Sequence, residues 1–242
     1  MFWFDVKNKE DTGEIYIYGD ITSAKWIEED VTPTWFKDQI NKLKGMKYIN
    51  LFINSAGGGV FAGMAIYNIL KRQTAKITAR IDGIAASISS VIAMAADEII
   101  MPKNALIMMH NPYSIMIGDA NDMRKEADLL DKVKSIIVGA YKDKSQLSDE
   151  KIITMMDEET WLTGEEALKI GFADTLEKNK EVSASIKNNK YIINGMEIDP
   201  EKYKLFPKDK FKPVDIAGKE KAERLIIANQ KYLSLKMMEV SK

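Results

Sequence analysis

The sequence contains no cysteine and only one histidine, His110, among its 242 residues. The absence of cysteine excludes disulfide bonds, thiolate catalysis and thiolate metal sites. A lone histidine cannot form the imidazole cluster that a zinc site needs, so we expect neither a metal nor a cofactor. If the protein carries out serine chemistry with an imidazole base, that base must be His110.

The sequence also lacks an excess of positive or negative charge, and it lacks a long hydrophobic run. Its 35 basic residues nearly balance 36 acidic ones, so we expect no nucleic-acid partner and no membrane partner. The most apolar stretch, residues 84–96, includes three serines and is too short to span a bilayer. It predicts a buried helix. Charged residues from Asp5 onward stand where a secretory signal would have its apolar segment. We therefore expect a cytoplasmic protein.

Segments typical of strands alternate along the chain with segments typical of helices. Thr32 and Pro33 predict a capped helix start, and Thr163 with Glu166 forms a capping-box pattern before a helix that Gly171 ends. This order predicts an α/β fold with a largely parallel sheet. The predicted strands cover residues 14–21, 48–53, 76–81, 99–101 and 105–109, and the longest predicted helix covers residues 119–144.

The composition changes beyond Glu177, where Lys, Asn, Glu and Ser become frequent. We therefore predict a domain over residues 1–180 and a C-terminal extension over residues 181–242. Within the extension, Asn194–Gly195 between two short apolar runs predicts a hairpin, and residues 216–240 have the apolar spacing of a helix.

Three features converge on the carboxyl ends of the predicted strands, where ligands bind in α/β folds. A run of three glycines, residues 57–59, can bring backbone N–H groups close to a substrate. Ser87 lies at a predicted strand-to-helix transition, and His110 ends the strand that follows. A serine needs such a base to become nucleophilic, so the pattern favours a serine hydrolase.

Six motifs stand in order along the chain: residues 54–58 (NSAGG), 62–67 (AGMAIY), 83–87 (GIAAS), 109–112 (MHNP), 161–167 (WLTGEEA) and 171–174 (GFAD). Together they resemble the Clp protease proteolytic subunit, ClpP, over residues 14–176. The resemblance implies the ClpP/crotonase-like fold, a repeated ββα superhelix with a handle helix, here followed by a small C-terminal extension. Residues 2–4 (FWF), residues 19–23 (GDITS) and the extension are similar to the bacteriophage and prophage branch, which acts in head maturation.

The resemblance implies a serine endopeptidase with Ser87 as nucleophile and His110 as general base and then acid. It also implies an oxyanion hole formed by the backbone N–H groups of Gly58 and Ile88. The family's third triad residue is an aspartate, and Glu159 stands at that position here. A glutamate can also orient the imidazole, so we expect Glu159 to complete the triad. Asp157 is the nearest alternative and Asp174 a further one.

The family further implies a polypeptide substrate, here a capsid or scaffold protein, and a homo-oligomeric ring, a heptamer or double ring, in the cytoplasm of a bacterial host. Ser114 and Ile115 replace a frequent Gly-Gly pair in the segment that lines the family's substrate cleft. Three alternatives stay open: a housekeeping-type Clp proteolytic subunit that works with an ATPase partner, a catalytically silent scaffold, and a crotonase-like acyl-CoA enzyme.

Overall fold

Helices and strands alternate along the computed structural model, which describes residues 11–178, 184–187, 190–193 and 196–208. The described residues form ten strands, six α-helices and one 3₁₀ turn. The strands are β1 (Thr12–Tyr18), β2 (Tyr48–Ser55), β3 (Lys76–Ala86), β4 (Glu98–Pro102), β5 (Leu106–Met109), β6 (Thr160–Thr163), β7 (Thr175–Glu177), β8 (Ala184–Lys187), β9 (Lys190–Ile193) and β10 (Met196–Ile198). The helices are α1 (Pro33–Lys42), α2 (Val60–Lys71), α3 (Ile88–Ala93), α4 (Ala120–Lys144), α5 (Asp149–Asp157) and α6 (Gly164–Ile170), and the 3₁₀ turn is Pro200–Lys202.

The main sheet has seven strands and is mostly parallel, which confirms the predicted fold class. Its path runs β1-β2-β3-β4-β7 with parallel pairing throughout. The first part of β3 pairs with β4, whereas its last three residues pair in parallel with β5. Strand β6 then pairs with β5 in antiparallel fashion. The carboxyl end of the long β3 is therefore where β5 and β6 join the sheet, off its main path.

The prediction of one buried helix over residues 84–96 is wrong at its start. Residues 84–86 continue β3, and α3 covers only Ile88–Ala93. The burial itself is confirmed, because every residue of α3 is buried. A short apolar run fits a buried strand as well as a buried helix, and here β2 and β5 provide pairing partners for Ala85 and Ile84.

The predicted helix ends are confirmed by side-chain and backbone hydrogen bonds. Thr32 accepts a bond from the backbone N–H of Trp35 at the start of α1. Thr163 and Glu166 form the capping box of α6, and Gly171 ends that helix in the left-handed conformation with φ 83°. These caps satisfy N–H and C=O groups that a helix leaves without partners.

Two hydrophobic clusters lie on opposite faces of β3 and β5. The larger cluster joins the sheet to the helices and includes Ala85 and Ile107, whereas Ile84 and Leu106 belong to the smaller one. Successive strand residues point to opposite faces, which explains the alternation. The smaller cluster also contains four residues of the C-terminal region, namely Tyr191, Ile193, Ile198 and Phe206.

The strands on both sides of the predicted hairpin turn pair in antiparallel fashion, with Ile193 opposite Met196. The turn residues Asn194 and Gly195 lie outside the described residues, as does the helix predicted over residues 216–240. The domain boundary at residue 180 stays a prediction. None of the helices in the described ranges combines the length and apolarity needed to cross a bilayer.

Candidate active site

Ser87 lies between β3 and α3 in a conformation that is rare for a residue with a Cβ atom. Its φ is 55° and its ψ is −130°, and such backbone costs roughly 1–3 kcal/mol. The surrounding structure holds it in place, since its N–H donates to the carbonyl of Met108 at 2.9 Å and its own carbonyl accepts from the N–H of Ser90 at 3.0 Å. The serine side chain is therefore fixed at the carboxyl end of the sheet.

Ser87 and His110 are in direct contact, with 2.8 Å between Ser87 Oγ and His110 Nε2. The strand register produces this contact, because Ala86 pairs with Met108 and both residues follow closely. Burial lowers the pKa of His110 below its ordinary value of 6.5, the charge of Glu159 raises it, and the charge of Lys204 lowers it. The imidazole is thus mainly neutral at pH 7, as a general base must be.

Glu159 lies beside His110 because β5 and β6 are antiparallel. Met109 pairs with Thr160, so the next step of the same register puts Glu159 opposite His110. Glu159 is buried and has a φ of 50°. Its carboxylate accepts three hydrogen bonds, from Trp161 Nε1 at 3.3 Å, from the N–H of Lys204 at 3.0 Å and from the N–H of Leu205 at 2.8 Å. Among the described residues it makes no hydrogen bond to His110.

The two other candidate carboxylates bind different groups. Asp157, at the end of α5, accepts from Asn111 Nδ2 at 2.8 Å and from Lys134 Nζ at 2.6 Å, and these bonds lower its pKa. Asp174 accepts from the N–H of Ile99 at 2.7 Å and pairs with Lys144. Asp157 thus contacts the residue after His110, whereas the described contacts of Asp174 tie β4 to the end of α4.

The glycine turn after β2 presses against Ser87. Gly57 has a φ of 96°, and a Cβ atom at that position would lie 2.6 Å from the carbonyl oxygen of Ala86 and 2.8 Å from Ser87 Cβ. Gly58 has a φ of 140°, and a Cβ atom at that position would lie even closer to the carbonyl oxygen of Ile21. Side chains are excluded here because the two backbones touch.

The backbone N–H groups of Gly58 and Ile88, the two predicted oxyanion donors, flank this contact between the turn and the serine. Neither N–H donates a hydrogen bond within the described part of the chain. A Cβ atom on Gly57 would also lie 3.2 Å from the nitrogen of Ile88, so that nitrogen is near the glycine turn. Gly58 follows Gly57 in the sequence, and Ile88 follows Ser87. Both N–H groups therefore lie next to the contact and keep the capacity to bind an oxyanion.

The segment after His110 has no regular structure. The ring of Tyr113 meets the imidazole edge-on with 5.8 Å between centroids. Ser114, which replaces a family glycine, donates to Glu126 at 2.7 Å. The resemblance implied a strand that lines the cleft, but residues 111–117 join no ladder among the described residues. Ile115 and Ile117 are almost fully exposed.

Sequence reasoning missed a group of C-terminal residues at this site. Besides the two N–H groups that bind Glu159, the Tyr203 hydroxyl donates to the carbonyl of Ala56 at 3.4 Å, directly before the glycine turn. The Tyr203 ring meets Trp161 edge-on with 5.3 Å between centroids. No sequence motif marks these residues, and their distance of more than 40 positions from Glu159 hides the contact.

Comparisons with known proteins agree with this geometry. Residues 9–180 match the Clp protease family. The chain is 33% identical over 159 residues to ATP-dependent Clp protease proteolytic subunit 1 of Chlamydia abortus, an alignment that covers 62% of this chain and 83% of that protein. It is 33% identical over 129 residues to the ATP-dependent Clp protease proteolytic subunit of Deinococcus radiodurans, covering 52% of this chain and 63% of that protein. It is 27% identical over 168 residues to subunit 1 of Protochlamydia amoebophila, covering 68% and 80%. The chain therefore belongs to the Clp protease family, whose members are serine endopeptidases.

Proposed function

We propose that Ser87 is the nucleophile and His110 the general base of a peptide-bond hydrolase. The observation that carries the proposal is the 2.8 Å contact between Ser87 Oγ and His110 Nε2, with the serine held in a strained backbone at the end of β3. A strained serine between a strand and a helix, next to a neutral imidazole, has the arrangement of an activated nucleophile.

The reaction follows from these positions. His110 Nε2 takes the Ser87 hydroxyl proton while Oγ attacks the peptide carbonyl carbon, and the N–H groups of Gly58 and Ile88 bind the oxyanion. Each donor to the oxyanion contributes about 3–4 kcal/mol to transition-state stabilisation. The imidazolium then gives its proton to the leaving amine, which departs and leaves the acyl group on Ser87. A water molecule, activated by the same imidazole, hydrolyses the ester.

Glu159 is our candidate for the third member of the triad. The register puts it opposite His110, and its charge raises the pKa of that residue. A carboxylate in this position stabilises the imidazolium and selects the tautomer with the proton on Nδ1. Asp157 is the alternative, because it binds Asn111 next to His110, but it is more exposed than Glu159.

Labelling with a small fluorophosphonate tests the nucleophile. We expect the intact mass of the wild-type protein to rise by one phosphonyl group, and Ser87→Ala and His110→Ala to stay unlabelled with unchanged circular dichroism. Ser114→Ala, which removes an exposed serine near the same site, is the matched control and should label normally. Equal labelling of Ser87→Ala would contradict the proposal. A folded protein that never labels would favour the silent scaffold or the acyl-CoA enzyme.

A pair of isosteric variants tests the third triad member. We expect Glu159→Gln to lower the turnover of a fluorogenic peptide more than Asp157→Asn does, because only the former removes the charge opposite His110. The reverse order would assign the role to Asp157. Circular dichroism on both variants shows whether the fold is kept.

We further propose that the substrate is a capsid or scaffold protein of a phage or prophage. The opening residues 2–4, the GDITS segment and the C-terminal extension support this branch, whereas the names of the relatives, ATP-dependent Clp proteases, support a housekeeping subunit with an ATPase partner. Cleavage of a purified coat–scaffold precursor without ATP would support the first. Degradation of casein that requires ATP and a Clp ATPase would support the second.

A homo-oligomeric ring is the assembly that we propose. Apolar side chains are exposed on one continuous part of the chain, from the segment after His110 into α4, which supports burial against another copy. We expect light scattering to give the mass of a heptamer or double ring, and Ile117→Glu to lower that mass. Leu168→Glu, on α6, is the control for adding a charge at an exposed leucine. The exposed residues are Tyr113, Ile115, Met116, Ile117, Met123, Leu129 and Ile136.

A further inference from the structure

Residues 199–206, which we call the strap, lie against the candidate active site. The strap begins at Asp199, whose side chain accepts the N–H of Glu201 at 3.0 Å and starts the 3₁₀ turn. It ends at Phe206, which is 8% exposed. The strap follows directly on β10, an edge strand of the three-stranded sheet of the C-terminal region.

Phe206 anchors the strap to the smaller hydrophobic cluster. Its ring lies 5.3 Å from that of Trp161 and 4.8 Å from that of Tyr191, measured between centroids. The cluster covers the face of β3 and β5 that carries Ile84 and Met108. Burial of this aromatic ring removes apolar surface from water and so favours the docked position of the strap.

Tyr203 lies between the glycine turn and the β6 side of the site. Its hydroxyl donates to the carbonyl of Ala56, and its ring packs on Trp161. Burial raises the pKa of Tyr203, and the charge of Asp20 adds to the same shift. A substrate chain that approaches the serine beside the glycine turn meets this side chain.

The strap also uses the carboxylate that we assign to the triad. The N–H groups of Lys204 and Leu205 each bind one oxygen of Glu159, and Trp161 binds one of them as well. Hydrogen bonds to a charged acceptor are the stronger class. They hold a buried carboxylate that makes no hydrogen bond to His110 within the described residues, so the strap and the imidazole compete for it.

We propose that the strap is an internal inhibitor of the protease, which holds Glu159 away from His110 and occupies the space beside the glycine turn. Its release lets Glu159 accept the Nδ1–H of His110 and opens that space to a polypeptide. This inference rests on the proposed function. It gives the C-terminal region, which lies beyond the part that matches the family, a regulatory role in this chain.

Two substitutions release the strap in different ways. Leu205→Pro removes the N–H that donates to Glu159. Leu205→Ala is its matched control, because it keeps that N–H and only shortens a side chain that is 61% exposed. Phe206→Ala removes the anchor. We measure the rate of fluorophosphonate labelling at Ser87 by intact mass, together with circular dichroism. We expect Leu205→Pro, which loses one charge-assisted bond to Glu159, to label about tenfold faster or more. Phe206→Ala, which loses the packing of the anchor, should label faster by a similar factor, and Leu205→Ala should label as the wild type does.

A merely structural role of the strap gives the opposite sign, since loosening the site would slow labelling. Adding Glu159→Gln to either released variant should remove the gain. Wild-type labelling that is equal to or faster than that of both released variants overturns the inference and leaves the proposed function intact. If Leu205→Pro does not fold, Phe206→Ala alone decides. Folded variants that all fail to label would contradict the proposed function and the inference together.

Discussion

Replacing Gly57 with alanine tests the contact between the glycine turn and Ser87. The new Cβ atom would lie 2.6 Å from the Ala86 carbonyl oxygen and 2.8 Å from Ser87 Cβ, both of which are backbone or backbone-attached atoms with little freedom to move. The φ of 96° adds strain for any residue with a Cβ. The left-handed backbone costs about 1–2 kcal/mol, and crowding in a packed region costs about 1–3 kcal/mol more.

Gly45→Ala is the matched control, because Gly45 has a similar φ of 93° with nothing within 4 Å of the added atom. It isolates the backbone strain from the crowding. Both variants are followed by thermal unfolding, where about 1 kcal/mol corresponds to roughly 2–4 °C for a chain of this size. We expect the unfolding temperature of Gly45→Ala to fall by a few degrees and that of Gly57→Ala to fall clearly further.

Fluorophosphonate labelling below the unfolding temperature separates the two effects on chemistry. Gly57→Ala should label at least about 100-fold more slowly, because a misplacement of the nucleophile by about 1 Å costs that much. Gly45→Ala should label as the wild type does. If Gly57→Ala labels at the wild-type rate and unfolds at the same temperature as Gly45→Ala, the turn does not position Ser87 and the reasoning is refuted.

Four further predictions concern His110, Lys204, a helix cap and the longest helix. Because burial holds the pKa of His110 below 6.5, the unfolded chain binds more protons, so the free energy of unfolding should fall as the pH drops through 6.5 and then through the folded-state pKa. Lys204→Ala removes a positive charge that lowers the pKa of His110, so it should raise that pKa and move the acid limb of the pH–rate profile to higher pH; an unchanged limb would contradict this electrostatic effect. Thr163→Ala removes the cap that bonds Glu166 and should destabilise by about 1 kcal/mol in urea unfolding, whereas a neutral result would show that α6 does not need its cap. Gly139→Ala, in open space within α4, should stabilise by about 0.5–1 kcal/mol, and a loss of stability would indicate a neighbouring subunit packed against it.

The sequence was sufficient to predict the parts of the fold that depend on local chemistry. The caps at Thr32 and Thr163 and the left-handed Gly171 follow from hydrogen bonds between residues three or four apart. The approach of Ser87 and His110 could also be anticipated, because the carboxyl ends of neighbouring parallel strands meet at one edge. The boundary between β3 and α3 could not, since hydrophobicity alone does not separate a buried strand from a buried helix.

The contacts of Glu159 were out of reach of sequence reasoning for a different reason. Its position opposite His110 depends on the β5–β6 register, and its bonds to Lys204 and Leu205 use backbone N–H groups. Every residue except proline carries such a group, so no residue type in the strap indicates a partner. Only the three-dimensional path of the chain brings the two segments together.

The alternation along β3 has a consequence for how this protein can change. Ala85 faces the helices, whereas Ile84 and Ala86 face the C-terminal strands, so the two neighbourhoods share a backbone without sharing side chains. Evolution can therefore change or replace the C-terminal region by altering only the few β3 residues that face it, while the helical core keeps its packing. Ser87 directly follows β3. A replacement of the C-terminal region would therefore affect the candidate active site at Ser87.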